Sequence, residues 1–183
     1  MATPHILALC GSLRTGADNK KLLDLAVAEA RAQGAEVDVV DPKSFAQLPL
    51  YDQDVEAQGL PAPVKALRER LTRANGLLIA SPEYNSSIPG GLKNAIDWVS
   101  RPPRLFQDKW AALMGASPSP FGTVRMQPHL RQVLAGMGMH VLPAQLHLPR
   151  SMEAFNPDGS LKDEARHKEM VALVSALVSK LKG

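Results

Sequence analysis

Two polar loops carry the residues most suited to binding a ligand, and each follows a short apolar run that is typical of a buried strand. The first loop follows residues 6–10, and the second follows residues 76–80. Ligands of open parallel sheets bind at the carboxyl ends of strands. Both loops contain glycine, serine and asparagine, so main-chain donors are accessible there. This composition predicts a site for an anionic group and for a flat, polar-edged ring.

The first loop, residues 11–19, leads into a predicted helix. Free N–H groups and the dipole at a helix N-terminus both favour an anion such as phosphate. The side chains that could add hydrogen-bond donors are Ser12, Arg14, Thr15 and Asn19. Neither a P-loop ending nor a Gly-x-Gly-x-x-Gly spacing is present. A polar turn with Asp18 or Asn19 as the helix N-cap is the open alternative, and we expect the Asp18 carboxylate to point to solvent.

The second loop, residues 81–91, combines prolines, short polar side chains and two adjacent glycines. Its candidate ring-contacting residues are Pro82, Glu83, Tyr84 and Asn85. A carboxylate beside an electron-rich ring would oppose reduction of that ring, so Glu83 could instead pair with a cation on a neighbouring subunit. Ser117, which follows the run 110–116, is a candidate on a third loop. Ordinary turns are the alternative for both loops.

Five strand-like runs alternate with segments of helical periodicity, which indicates a doubly wound α/β sheet. Strands are predicted at 6–10, 37–40, 76–80, 110–116 and from 140. Helices are predicted up to Gly34 and over 64–73, 92–99, 128–137 and 163–182, with irregular structure over 42–63. We predict one domain, residues 1–183: a three-layer, flavodoxin-like sandwich with parallel strand order 2-1-3-4-5. That order brings the loops after strands 1, 3 and 4 to one edge.

Composition argues against several classes of function. The chain is 45% hydrophobic and 21% charged, which is typical of globular domains. A net charge of +3 without an arginine-rich run argues against nucleic-acid binding. No apolar run is long enough for a membrane span. The five histidines lack the spacing of metal ligands, and no Gly-x-Ser-x-Gly elbow of a hydrolase is present.

The single cysteine, Cys10, lies at the end of the first apolar run, where we expect a buried and inert thiol. The amino-terminal residues lack the pattern of a signal peptide. We therefore expect a cytoplasmic protein.

Taken together, these residues resemble the NADPH-dependent FMN reductase family, which includes bacterial quinone, chromate and azo reductases. The resemblance covers most of residues 5–142. The matching segments are Gly11-Ser12-Leu13-Arg14 with Asn19, Pro82-Glu83-Tyr84-Asn85 with Ser87 and Pro89, Leu92-Lys93-Asn94-Ala95-Ile96-Asp97-Trp98, and Arg125 with Leu130-Arg131-Gln132-Val133-Leu134.

The resemblance implies tightly but non-covalently bound FMN and a homodimer or homotetramer. It assigns Ser12, Arg14 and Asn19 to the FMN phosphate, Pro82, Glu83, Tyr84 and Asn85 to the isoalloxazine ring, and Ser117 to the third flavin loop. Three positions depart from the family. Serine is common at Ala17, an aromatic residue at Ser86 and glycine at Thr123. The change at Ala17 removes a hydroxyl from the phosphate site, although the backbone N–H of Ala17 could still serve.

The resemblance also implies hydride transfer from NADPH or NADH through FMN to a quinone, a flavin, an azo compound or chromate. Ping-pong kinetics are then expected, without a catalytic side chain. An FMN-binding electron carrier or redox sensor that does not turn over nicotinamide is the alternative. Electron carriers of this fold tend to be strongly acidic, so a pI of about 9.1 argues against a carrier. The expected subunit interface is 42–63 with the helix 92–99, where Trp98 could equally be core.

Overall fold

The computed structural model describes residues 3–183, which contain one five-stranded sheet. Its strands are β1 (His5–Cys10), β2 (Glu36–Val39), β3 (Gly76–Ala80), β4 (Trp110–Ala116) and β5 (His140–Leu148). All neighbouring strands are parallel, and their order is β2-β1-β3-β4-β5. The predicted flavodoxin-like α/β architecture is confirmed.

The described residues form six α-helices and two 3₁₀ turns. The helices are α1 (Asp18–Ala32), α2 (Gln53–Ala57), α3 (Ala62–Arg73), α4 (Gly90–Val99), α5 (Met126–Gly136) and α6 (Glu164–Lys182). The 3₁₀ turns are Pro42–Gln47 and Ser151–Glu153. The expectation of irregular structure over 42–63 was therefore wrong in part: Asp41 and Asp52 cap a 3₁₀ turn and α2, respectively, whereas 48–52 and 58–61 are irregular. No helix within 3–183 is both long and apolar enough to cross a membrane.

Helices cover both faces of the sheet and make three layers. On one face, Ala8, Leu78 and Ala112 pack with the apolar sides of α1 and α6. On the other face, Leu7 and Leu77 pack with α3, α4 and α5. Burial on both sides explains why β1 and β3 read as unbroken apolar runs in the sequence.

The strand register places the candidate loops side by side. Cys10 pairs with Ala80, and Ala80 pairs with Met114 on the next strand. Ala116, the last residue of β4, pairs with Leu148, the last residue of β5. The loops after β1, β3, β4 and β5 therefore leave from the same edge of the sheet.

Trp98 belongs to the core of the chain. Its side chain is fully buried, and its indole N–H donates a hydrogen bond to the carbonyl oxygen of Pro49 at 2.7 Å. Tyr51 packs edge-on against the ring, with centroids 5.0 Å apart. Of the two alternatives, Trp98 is therefore a core residue, because its buried side chain exposes no surface that another subunit could contact.

Cys10 is fully buried, and burial raises the pKa of its thiol. We expect this thiol to remain protonated at neutral pH. A chromogenic disulfide reagent should then label the native protein at least about 100-fold more slowly than the urea-unfolded protein. The absorbance of the released aromatic thiol measures both rates. Labelling of the native protein at the unfolded rate would contradict the buried placement.

Candidate functional site

The first loop presents unused backbone donors at the start of α1. Within 3–183, six N–H groups of this loop make no intramolecular hydrogen bond: those of Ser12, Leu13, Thr15, Gly16, Asp18 and Asn19. Gly16 has a φ of +68° and open space around it, so the backbone is accessible there. Such a group of free N–H groups, at the positive end of a 15-residue helix, suits an anion such as phosphate.

Asn19 ties the first loop to β4. Its Nδ2 donates to the carbonyl oxygen of Ala116 and its Oδ1 accepts from the N–H of Ala116, both at 2.8 Å. The N-cap of α1 is Ala17, which makes no side-chain cap, so the capping alternative for Asp18 or Asn19 was wrong. The N–H of Ala17 donates to the carbonyl of Arg14 at 3.2 Å and is therefore not free for an anion. Asn19 thus serves the loop by holding it in place.

The expectation that Asp18 points to solvent was wrong. Its side chain is only 15% exposed, and its Oδ2 accepts a hydrogen bond of 2.9 Å from the hydroxyl of Ser151. Lys21 Nζ lies 3.4 Å from Oδ1, and Arg14 Nη2 lies 3.9 Å from Oδ2. Ser151 was not among the site residues predicted from the sequence. It could have been found by the argument used for Ser117, since it too follows the carboxyl end of a strand.

The second loop is a tight hairpin turn. Tyr84 and Ser87 exchange both backbone hydrogen bonds, at 3.1 and 3.0 Å. Between them, Asn85 and Ser86 have φ values of +49° and +64°, as a two-residue turn of type I′ requires. Pro82 is buried beneath the turn, whereas the Tyr84 and Asn85 side chains are exposed. The turn therefore presents Tyr84 and Asn85 at the edge of the sheet.

Glu83 pairs within its own chain, which corrects the expected pairing across a subunit interface. Its Oε2 accepts hydrogen bonds from the N–H groups of Arg125 and Met126, at 2.9 and 3.1 Å. The Arg125 guanidinium lies 3.4 Å from Oε1. Because Arg125, the N-cap of α5, makes no side-chain cap, Glu83 supplies the missing acceptor from another loop. The Glu83 carboxylate is thereby occupied in capping α5.

Replacement of Glu83 by glutamine should destabilise the protein by about 1 kcal/mol, because it removes the charge that favours the α5 N-terminus and the ion pair. Backbone amides of Arg125 and Met126 should then exchange hydrogen faster. Chemical denaturation and hydrogen exchange measure the two effects. The same change at the exposed Glu69 is the matched control and should be nearly neutral. Equal effects at the two positions would refute the capping role.

Further contacts fasten the hairpin turn to α5. Arg125 Nη1 donates to the Ser86 hydroxyl at 3.0 Å, and the Ser87 hydroxyl lies 3.1 Å from His129 Nδ1. The Arg125 guanidinium also lies 5.7 Å from the centre of the Phe121 ring. The position of the turn is thus set by α5 as well as by β3.

A hydrogen bond to Ser117 stabilises the third loop, and the end of β4 packs tightly against its surroundings at Gly115. The Ser117 hydroxyl accepts a hydrogen bond from the N–H of Ser119 at 3.2 Å, and Ser117 is 8% exposed. A Cβ at Gly115 would overlap the carbonyl oxygen of Ser81 and the side chain of Thr123. Gly115 therefore allows the second and third loops to approach each other closely.

Exposed apolar side chains concentrate at the same edge. The large apolar residues exposed on its loops are Leu13, Tyr84, Phe121, Val124 and Met152. In the described part of the chain, Leu50 is the one other exposed residue of this kind. Isolated exposed apolar residues are ordinary, but a group of them marks a binding surface. The edge thus offers an apolar rim beside a group of anion-binding amides.

Two grooves lie away from the first and third loops. One, of about 660 Å³, runs between α4 and α5 and reaches the outer side of the turn at Ser87 and His129. The other, of about 630 Å³, lies beside β2 near His5 and Arg70. Neither is lined by the first or third loop. Among residues 3–183, no three histidine, cysteine or acidic side chains converge as metal ligands.

Comparison with known proteins gives concordant matches. Residues 4–153 match the family described as NADPH-dependent FMN reductase. An NAD(P)H-dependent FMN reductase of Pseudomonas aeruginosa is 39% identical over 183 residues, covering 97% of each chain. An NAD(P)H:quinone oxidoreductase of Solanum tuberosum is 40% identical, covering 97% of this chain and 94% of that one. The flavoenzyme FerB of Paracoccus denitrificans, an NAD(P)H:(acceptor) oxidoreductase, has a TM-score of 0.87 at 31% identity, covering 98% of each chain.

Proposed function

Since this chain belongs to the NADPH-dependent FMN reductase family, we propose that it binds FMN across the loops that follow β1, β3 and β4. The chain is an NAD(P)H-dependent oxidoreductase with FMN as its cofactor and a small molecule as electron acceptor. One observation carries the placement of FMN: free N–H groups at the start of α1 lie at the same edge as an exposed apolar rim. An anion-binding group of amides beside an apolar rim fits a ligand in which a phosphate is joined to a flat ring.

The site residues divide into those that would contact FMN and those that position them. Ser12 and Arg14, with the free amides of the first loop, would hold the phosphate. The residues that would lie along the ring are Pro82, Tyr84, Asn85 and Ser117. Asn19 and Glu83 would act indirectly, because their side chains are bound to β4 and α5.

When bound, FMN supplies the hydride chemistry, and the chain supplies binding, orientation and electrostatics. Backbone amides of the loops beside the ring would stabilise the negative charge that reduction places on the ring. Tyr84 and Phe121 are more than half exposed, which leaves an open apolar rim. We expect ping-pong kinetics, because NAD(P)H and a quinone would occupy this rim in turn.

Anaerobic reduction tests the proposed function. The purified protein, loaded with FMN, should show an absorbance band near about 450 nm that NADPH bleaches and benzoquinone restores. Initial rates at varied NADPH and quinone should give parallel double-reciprocal lines. A band that dithionite bleaches but NADPH does not would contradict the reductase and favour a carrier or sensor. Failure to take up FMN would contradict the proposed site.

We also propose that the chain forms a homodimer or homotetramer. The long groove between α4 and α5 supports this proposal, since it is open and reaches the hairpin turn of the site. A monomeric mass by light scattering at micromolar concentration would contradict it.

The compartment we propose is the cytoplasm, because the one cysteine of the chain is a buried free thiol. Recovery of the protein in the periplasmic or membrane fraction would contradict this assignment.

A further inference from the structure

The proposed phosphate site already contains an anion. Asp18 is the first residue of α1, where the helix dipole favours a negative charge. Its carboxylate lies 3.9 Å from the guanidinium of Arg14, the residue proposed to hold the phosphate. Lys21 lies 3.4 Å away on the other side. Asp18 therefore offsets part of the positive charge that Arg14 and Lys21 bring to this end of the helix.

The carboxylate of Asp18 is fixed in this position. Ser151 donates its hydroxyl hydrogen to Oδ2 at 2.9 Å, and Ser151 is itself 1% exposed. The N–H of Ser151 donates to the carbonyl of Ser117 at 3.1 Å, which joins this contact to the third loop. Asp18 cannot turn away from the site without breaking a hydrogen bond to a buried hydroxyl.

A phosphate bound at the free amides of residues 15–19 would share the helix dipole and Arg14 with this carboxylate. Like charges at the same end of a helix oppose each other, and the shared cation can satisfy each anion only in part. Ala17 adds no hydroxyl, and its N–H is already bound to Arg14. The site is thus arranged to hold phosphate less tightly than its free amides alone would allow.

We propose, on the basis of the function proposed above, that Asp18 weakens the binding of the flavin phosphate and raises the rate at which FMN dissociates. The negative charge of Asp18, rather than its hydrogen bond with Ser151, sets this effect. Asparagine can accept the same hydrogen bond from Ser151, so Asp18→Asn removes the charge and preserves the contact.

Flavin affinity of the flavin-free protein tests the proposal. Fluorescence titration should show that Asp18→Asn lowers the Kd for FMN about five- to tenfold and slows FMN dissociation by a similar factor. The Kd for riboflavin, which lacks the phosphate, should change less than about twofold. Glu29→Gln removes a charge near the other end of the same helix, can still accept the hydrogen bond from Gln33, and is the matched control. Its FMN affinity should equal that of the unaltered protein.

Three results would overturn the proposal: an unchanged FMN affinity in Asp18→Asn, an equal gain for riboflavin, or an equal gain in Glu29→Gln. Arg14→Gln separates this failure from failure of the proposed function. If Arg14→Gln weakens FMN binding and Asp18→Asn has no effect, the phosphate site stands and the role of Asp18 is refuted. If the unaltered protein binds neither flavin, the proposed function itself fails.

Discussion

Replacement of Gly115 by alanine should destabilise the protein by about 2–3 kcal/mol and weaken FMN binding by at least about tenfold. The added Cβ would overlap the carbonyl oxygen of Ser81, which belongs to the backbone and cannot rotate aside. It would also overlap the fully buried side chain of Thr123. The second and third loops would have to separate, and both are proposed to contact the ring.

Urea denaturation and flavin titration measure the two effects of Gly115→Ala. Gly136→Ala is the matched control, because a Cβ at Gly136 meets no atom within 4 Å and the residue lies at the end of α5. Alanine favours the helix there, so the control should be neutral or slightly stabilised, by up to about 1 kcal/mol. An equally mild effect at Gly115 would show that the two loops are not packed as described.

Replacement of Asn19 by alanine should destabilise the flavin-free protein by about 2–4 kcal/mol. The change removes both hydrogen bonds to Ala116 and leaves a buried N–H and a buried carbonyl without partners. The loss should appear without flavin, because Asn19 joins the first loop to β4 within the chain. Denaturation of the flavin-free protein measures it.

Asn75→Ala provides the comparison for Asn19→Ala. Asn75 also accepts a hydrogen bond from a backbone N–H, that of His5 at 3.1 Å, but it is exposed, so water can replace the lost partner. We expect a loss of less than about 1 kcal/mol. If Asn19→Ala costs no more than Asn75→Ala, the buried connection between the first loop and β4 contributes nothing to stability.

The sheet order and the neighbouring positions of the candidate loops could be predicted from the sequence. Apolar runs such as 76–80 indicate strands that are buried on both faces. Because these strands alternate with helices along the chain, only a few sheet topologies are possible. The family could also be identified, because its motifs lie in the loops themselves. The prediction of one domain over residues 1–183 stays a prediction. A single cooperative unfolding transition would support it.

The partners of the polar side chains could not be predicted. Glu83 and Arg125 are 42 residues apart in sequence, Asn19 and Ala116 are 97 apart, and Ser151 and Asp18 are 133 apart. Composition shows that such residues can form hydrogen bonds, but the partner depends on how the loops fold over one another. For this reason Asp18 was expected to face solvent and Glu83 to face another subunit, whereas both bind groups in their own chain.

A crystal structure of the FMN complex tests the central claim most directly. In that complex, phosphate oxygens should lie within about 3.2 Å of backbone nitrogens between residues 15 and 19, and the flavin ring should lie beside Tyr84. The groove between α4 and α5 and the groove beside β2 are the competing locations. An FMN molecule in either groove, with the first loop unoccupied, would contradict the claim that these loops form the flavin site.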